Sequence, residues 1–357
     1  MRKKPPSLPA VPRHPWIIDA RRRTTVFSDE RRALHWEAPV PILRRLLRAV
    51  GIASFLLVGA TDARASFDTI AMSAQAAAMG GASLNNHADS AALFLNPAES
   101  AALARPEAYM AYDRLYAGLN GVGAIGQGFL ALGVPTRVGT LGVGVSDFQA
   151  SGLLNERVVG LSWSRRWFGA FDAGVTAKYL HHSYQIGGDA LAAADPVFKN
   201  GTSRGAFALD LGVGVPISPS LRLGLAVRNL NQPDVGLATT DRVAREVQAG
   251  LSYDFDPAWE LRGTADYTYK AVPSGTLPDR STPALGLEKG FVDGRVKFRV
   301  GVTMDQFSAG VGIAFGPATF DYAFILNRNL VSNNAGTQQV GIRYRFGDAS
   351  KSASKGE

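Results

Sequence analysis

Seven basic side chains in the final third of the chain have the spacing of a ligand surface: Arg262, Lys270, Arg295, Lys297, Arg299, Arg343 and Arg345. Residues two apart in an extended chain share a face. Arg295, Lys297 and Arg299 therefore make one row, and Arg343 and Arg345 another. A row of cations could guide an anionic head group. The stronger expectation is that Glu246, Glu260, Asp266, Asp321 or backbone carbonyls neutralise it, because enclosed charge needs partners. Arg262, Arg295, Lys297, Arg299, Arg343 and Arg345 are the ligand-contact candidates, with the ligand itself open.

Other constellations carry less. His181 and His182 are adjacent, so on a strand they point to opposite faces and cannot jointly hold one metal. Asp254 and Asp256 lie two apart near a turn, but no nearby loop adds the further oxygen ligands that calcium requires. Gly121, Gly123 and Gly126 have the spacing of a dinucleotide fingerprint without its strand-turn-helix setting. Neither a Ser-His-Asp arrangement nor a Gly-x-Ser-x-Gly elbow stands out, and there is no Cys for zinc or thiol chemistry. These readings predict no enzyme, no cofactor and no metal.

The elements that position the basic rows are strands. From about residue 107 to 346, stretches of alternating apolar and polar or small residues are broken by Gly, Pro, Asn or Asp turns. In the last stretch Val340, Ile342, Tyr344 and Phe346 take one face, and Gln339, Gly341, Arg343 and Arg345 the other. The same split sets Val296, Phe298, Val300 and Val302 against Arg295, Lys297, Arg299 and Gly301, and Leu221, Leu223, Leu225 and Val227 against Arg222 and Arg228. Fourteen strands are predicted, near 107–116, 121–134, 138–148, 154–166, 168–185, 203–216, 220–231, 243–255, 258–271, 281–291, 294–304, 306–315, 317–328 and 336–346. This is the pattern of an all-β, closed antiparallel transmembrane β-barrel. Lipid offers no partner to a bare strand edge, so the sheet must close. Tight turns such as 216–220 and 256–257 alternate with longer links such as 187–202 and 231–242, and Tyr109, Trp163, Trp167, Tyr253, Trp259, Tyr269 and Tyr344 are placed to form interfacial girdles.

The formal charge of +8 raises the question of nucleic acid, but residues 1–65 hold 13 of the 38 Lys+Arg and 5 of the 30 Asp+Glu. The remainder has 25 of each, a net of zero, so no nucleic-acid partner is expected. Arg44, Arg45 and Arg48, the apolar run Ala49 to Ala60 and the Ala63-Arg64-Ala65 site read as a cleaved signal peptide over 41–65. A membrane-crossing helix would need about 20 apolar residues. Residues 1–40 read as a non-globular leader or a start placed too early, with Val40 or Leu43 as alternatives, and 347–357 as a polar tail. Residues 66–106 break the alternation with small-residue runs, a Gly80-Gly81 hinge and Asn96-Pro97-Ala98, and are expected to plug the barrel of 107–346.

The segments Ala76-Ala77-Ala78-Met79-Gly80-Gly81-Ala82 and Asp89-Ser90-Ala91-Ala92-Leu93-Phe94-Leu95-Asn96-Pro97-Ala98 resemble the N-terminal hatch of PorV/PorQ-type outer-membrane proteins, a family grouped with the FadL-type hydrophobic-compound transporters. The resemblance extends through Val227 to Leu230, Arg245 to Tyr253 and Val340 to Phe346 and covers most of 66–346. Glu99 departs from it where the family has Gly, as does Asn85-Asn86-His87. The resemblance implies a 14-stranded barrel with a hatch containing Gly80, Gly81, Asn96, Pro97 and Ala98.

Three functions follow as expectations. The first is an outer-membrane channel for a small hydrophobic or amphipathic compound. The second, also from the resemblance, is binding and assembly with a protein-secretion partner. The third is an extracellular all-β structural or adhesion domain outside the membrane. The first two imply outer-membrane lipid and the barrel-assembly machinery as partners, the latter reading Val340, Ile342, Tyr344 and Phe346 as an assembly signal.

Overall fold

The alternation seen in the sequence is realised as a ring. A computed structural model describes residues 67, 72–85, 89–118, 125–188, 190–271, 279–327 and 335–347. The expected leader, signal peptide and most of the tail, with Gly121 and Gly123, lie outside the described residues.

Fourteen strands are present: β1 (Glu107–Leu115), β2 (Ile125–Thr136), β3 (Gly139–Ala150), β4 (Leu154–Trp167), β5 (Phe171–Tyr184), β6 (Ser203–Pro216), β7 (Leu221–Arg228), β8 (Glu246–Asp254), β9 (Leu261–Lys270), β10 (Arg280–Phe291), β11 (Val296–Thr303), β12 (Gln306–Phe315), β13 (Ala318–Asn327) and β14 (Thr337–Arg345). Each pairs with its sequence neighbours, and β1 also pairs antiparallel with β14, in a register that sets Glu107 opposite Arg345 and Arg114 opposite Gln338. The sheet is a closed barrel with no free edge.

Side chains divide by parity. On β14, Val340, Ile342 and Tyr344 are exposed while Gln339, Gly341 and Arg343 are buried. The outer surface is apolar, with Leu161 64% and Phe207 74% exposed. The enclosed face carries Ser146, Thr176, Asp210, Glu288, Arg299 and Asp321, all buried. This inverts a soluble protein, where the apolar side is hidden.

Two local expectations change. The strand expected from residue 258 begins at Leu261, because Pro257–Trp259 forms a 3-10 turn: Asp256 accepts from the N–H of Ala258, and Glu260 takes the left-handed conformation at φ 45°. Tyr109, assigned to an outer girdle, is fully enclosed. Its parity matches Glu107 and Asp113, and its hydroxyl accepts from the N–H of Ala74 at 2.8 Å. The long links fall at one end of the barrel as expected, yet that end also holds the short connections Ser151–Leu153 and Met304–Asp305.

The segment before β1 packs on the enclosed face. Its pieces are α1 (Ala74–Ala78) and two 3-10 helices, η1 (Ser90–Phe94) and η2 (Pro97–Ala102). Each is opened by a cap residue, Ser73, Asp89 and Asn96, whose side chain accepts from an N–H two or three positions on. Helices of five or six residues are not stable alone, so the wall must hold them. Close approach depends on small residues: a Cβ on Gly301 would lie 2.1 Å from the Gly80 nitrogen, and one on Gly212 would lie 2.0 Å from Asn96 Oδ1.

Candidate functional site

The plug forms the floor of the interior. Helix α1 ends at Gly80 and Gly81, whose φ angles of 69° and 82° suit glycine alone; their N–H groups return to the carbonyls of Ala77 and Ala76. Asn96 does three things at once. Its Oδ1 accepts from Ala98 N at 3.2 Å, and its Nδ2 donates to Leu84 O at 3.1 Å and to Val213 O at 3.4 Å. Pro97 fills the first position of η2, where its missing N–H costs nothing. Ala98 is fully buried.

Barrel side chains then bind the plug's backbone. Thr176 donates to Leu93 O at 2.7 Å, Ser308 to Ala78 O at 3.1 Å, Thr264 to Ala82 O at 2.9 Å and Arg228 to Leu95 O at 3.2 Å, while Asp266 accepts from Leu84 N at 2.8 Å. Two plug carboxylates are ion-paired to the wall. Asp89 meets Arg343 at 2.8 Å. Glu99, fully buried, takes Arg222 on both oxygens, and Arg222 also reaches Asp172 at 2.7 Å, which is shared with Arg166 at 2.8 Å. At the closing seam, Glu107 of β1 accepts from Ser90 N at 2.9 Å and from Arg345 of β14 at 2.9 Å.

The basic residues singled out in the sequence are mostly used in this way. Arg299 bonds Glu288 at 2.7 Å and Asp321 at 2.6 Å; Lys297 bonds Glu288 at 2.9 Å; Arg262 bonds Asp254 at 2.6 Å; Lys270 meets Glu246 at 3.5 Å. Arg343 and Arg345 share Glu107. Arg295 sits exposed in the turn before β11, away from the enclosed rows. The rows therefore form neutralised pairs rather than an open cationic stripe. Of the expected partners, Glu246 and Asp321 serve; Asp266 instead binds the plug, and Glu260 accepts from Gly294 N at 3.2 Å. Glu288, Glu107, Asp89, Asp254 and Glu99 were not among the expected ion-pair partners, because each pairing is remote in sequence or lies across a strand pair. His182 points inward beside Phe67, with ring centroids 5.9 Å apart, while His181 stacks outside on Tyr179.

Above the plug lie two neighbouring cavities. A vestibule of about 520 Å³ at the long-loop end has Ala77, Gly80, Gly81 and Leu95 at its base and Asp113, Arg280, Asp305 and Gln339 on its walls. A smaller chamber of about 200 Å³ is lined by Phe67, Met72, Phe94, Leu154, Val158 and Leu180 with the polar groups Gln127, Ser146, Glu156, Lys178 and Asn229. Phe148 and Arg228 line both. Lys178 is held by Asp210 and by Asn229 Oδ1, each at 2.8 Å.

The link between β7 and β8 folds in beside the chamber. It buries Val235 and Val243 in the apolar cluster that contains Phe94 and Leu180. Asp234 fixes this link by accepting from Gly236 N and Asp241 N, both at 2.9 Å. Burial opposes ionisation of Asp234, but those N–H donors and the nearby charges of Arg204 and Arg242 hold its carboxyl below the ordinary aspartate range.

Fold and interior together define a class: a closed barrel of fourteen antiparallel strands, apolar outside, with an N-terminal plug and a small chamber of mixed apolar and polar lining within. No protein-family model matches the sequence, and no curated protein matches it. Solved structures of similar fold include the CymD monoaromatic hydrocarbon channel, with a TM-score of 0.55 and 15% identity over 79% of this chain and 100% of that one. The Ralstonia pickettii toluene transporter TbuX gives a TM-score of 0.53 and 16% identity over 79% and 100%. For the Pseudomonas putida toluene transporter TodX the TM-score is 0.51, with 12% identity over 80% and 99%.

Proposed function

We propose that the protein is an outer-membrane channel that admits a small hydrophobic or amphipathic compound through the vestibule and chamber. The observation that carries this reading is a chamber of about 200 Å³ with a continuous apolar wall, set within a charged barrel interior beside a plug. Phe67, Met72, Phe94, Phe148, Leu154, Val158 and Leu180 give it an apolar side for a hydrophobic body, and Gln127, Ser146, Glu156, Lys178, Arg228 and Asn229 a polar side that suits an amphipathic one. The fold likeness to two toluene transporters and a hydrocarbon channel supports the FadL-type side of the sequence resemblance over the secretion-shuttle side. Leu161 and Phe207, exposed on the outer face, would suit lipid contact and would be a liability on an adhesion domain in water.

In this reading the outer face meets lipid, the plug blocks free leakage, and ligand moves by partitioning from vestibule to chamber. No covalent step is involved. The test is uptake of labelled aromatic compounds by cells with and without the protein; equal rates would refute the channel. Slower gel migration after boiling in detergent than before it, or the reverse, tests the closed barrel independently, since a soluble sandwich shows no such change.

A further inference from the structure

The outer wall of the barrel is not evenly thick. On β9 the outward positions Gly263 and Ala265 carry almost no side chain, while the neighbouring chain presents Leu251, Tyr253 and Phe255 on one flank and Leu285 and Leu287 on the other. Between them lies an open groove of about 450 Å³, with a floor of backbone and walls of apolar and aromatic side chains. Pockets that take a whole small ligand run from about 300 to 1,000 Å³. Nothing reaches the groove from the interior. The ladder from β8 to β12 is continuous, and Met79 and Gly80 of the plug pack behind Gly286 and Gly301. Lys289 stands at the end of the groove. It shares the outward face of β10 with Leu285 and Leu287, two residues nearer the tight turn 292–295. Its ammonium donates to Trp259 O and lies 5.2 Å from the centre of the Phe291 ring. The adjacent carboxylate, Glu288, serves Lys297 and Arg299, and Lys289 has no carboxylate partner among the described residues.

From this we infer that the groove is a phospholipid site: one acyl chain lies over Gly263 and Ala265, and the phosphate meets Lys289 between Trp259 and Phe291. The occupant has to come from the membrane side, which supplies acyl chains. A chain seated in a groove touches protein on several sides rather than one and gains dispersion contacts. Packing of this kind, not the expulsion of water, drives association within lipid. Depth agrees, because the tight turns of such barrels face the periplasm, and Lys289 lies at that end among aromatic rings that suit the level of a head group. Charge agrees as well. An ammonium has three donors, so Lys289 keeps hydrogens for a phosphate after its bond to Trp259 O. The inference rests on the outer face meeting lipid and is independent of what the channel carries.

The test takes the protein in detergent, strips it of lipid and titrates it with palmitoyl-oleoyl phosphatidylglycerol, with bound lipid and oligomeric state counted by native mass spectrometry. Wild type should hold a single tight equivalent. Ala265→Leu fills the groove from the lipid side without touching the interior and should abolish that equivalent. Lys289→Gln should weaken it about fivefold, the effect of one basic residue beside an anionic lipid. Val159→Leu, on the outer face of β4, should leave it unchanged. Each variant's heat-dependent gel mobility confirms a folded barrel. No tight equivalent in wild type, undiminished binding in Ala265→Leu or Lys289→Gln, or an equal loss in Val159→Leu overturns the inference and leaves the channel standing. A dimer that Ala265→Leu dissolves also overturns it, by giving the groove to a second copy of the chain.

Discussion

Replacing Arg222 with Leu removes the cation shared by Glu99 of the plug and Asp172 of the wall. Arg222 makes three contacts to the Glu99 carboxylate, at 2.8, 2.9 and 3.1 Å, and one to Asp172 at 2.7 Å. Asp172 keeps Arg166 at 2.8 and 3.0 Å, so the damage falls mainly on Glu99. Removing one member of a buried ion pair costs about 3–5 kcal/mol. Taking the lower end, because Asp172 remains compensated, the seated plug loses about 3 kcal/mol, or ~150-fold in its equilibrium with a released state. The carboxylate regains full hydration when η2 leaves the wall, so the loss should appear as local opening.

The chain has no cysteine, which makes the measurement direct. Ser100→Cys places one thiol in η2 at a buried position, and its rate of labelling by a small thiol reagent reports opening. The rate should rise ~150-fold when Arg222→Leu is added, if reclosing outpaces labelling. Adding Glu99→Gln should then recover most of the protection, since a neutral amide tolerates burial better than a carboxylate deprived of its arginine. An unchanged labelling rate in Arg222→Leu would refute the latch, and a triple variant as loose as the double would show that charge is not the cause.

Asn96→Ala removes a helix cap together with bonds to Leu84 O and Val213 O; a cost of about 1–2 kcal/mol is expected, seen as a roughly tenfold or greater rise in the same labelling rate. Leu161→Arg puts a charge on the outer face midway along β4 and should lower stability by about 2–4 kcal/mol in urea titrations of vesicle-embedded protein. The same substitution should be harmless if that face does not meet lipid. Phe346 lies just beyond β14 and packs edge-on against Tyr344 with ring centroids 4.9 Å apart; Phe346→Asp should reduce the amount of assembled, heat-modifiable protein in the outer membrane, and normal assembly would remove it from the insertion signal.

The barrel was legible because parity is local. Val340, Ile342 and Tyr344 against Gln339, Gly341 and Arg343 state their two faces within a few residues, and every expected strand has its counterpart. The turns within the segment before β1 were legible for the same reason, since Gly80, Gly81 and Asn96-Pro97 carry their turn chemistry with them. What a side chain meets across the interior is a matter of ring geometry. Asp89 finds Arg343 at a separation of 254 residues, and Glu99 finds Arg222 at 123, so neither pair leaves a mark in local spacing. Tyr109 shows the limit of reading aromatics by type, because its parity with Glu107 outweighs any preference for a girdle. Trp259 and Glu260 keep the alternation but belong to a turn, where Asp256 and Pro257 impose their own geometry.

Glu107 and Arg343 belong to the two strands that meet where the ring shuts, and each grips the plug as well, through Ser90 and Asp89. An empty cylinder would have to join that last pair of strands with fewer partners for its innermost charges. Filling and fastening thus reinforce each other by equal amounts, so the stopper acts as part of the clasp.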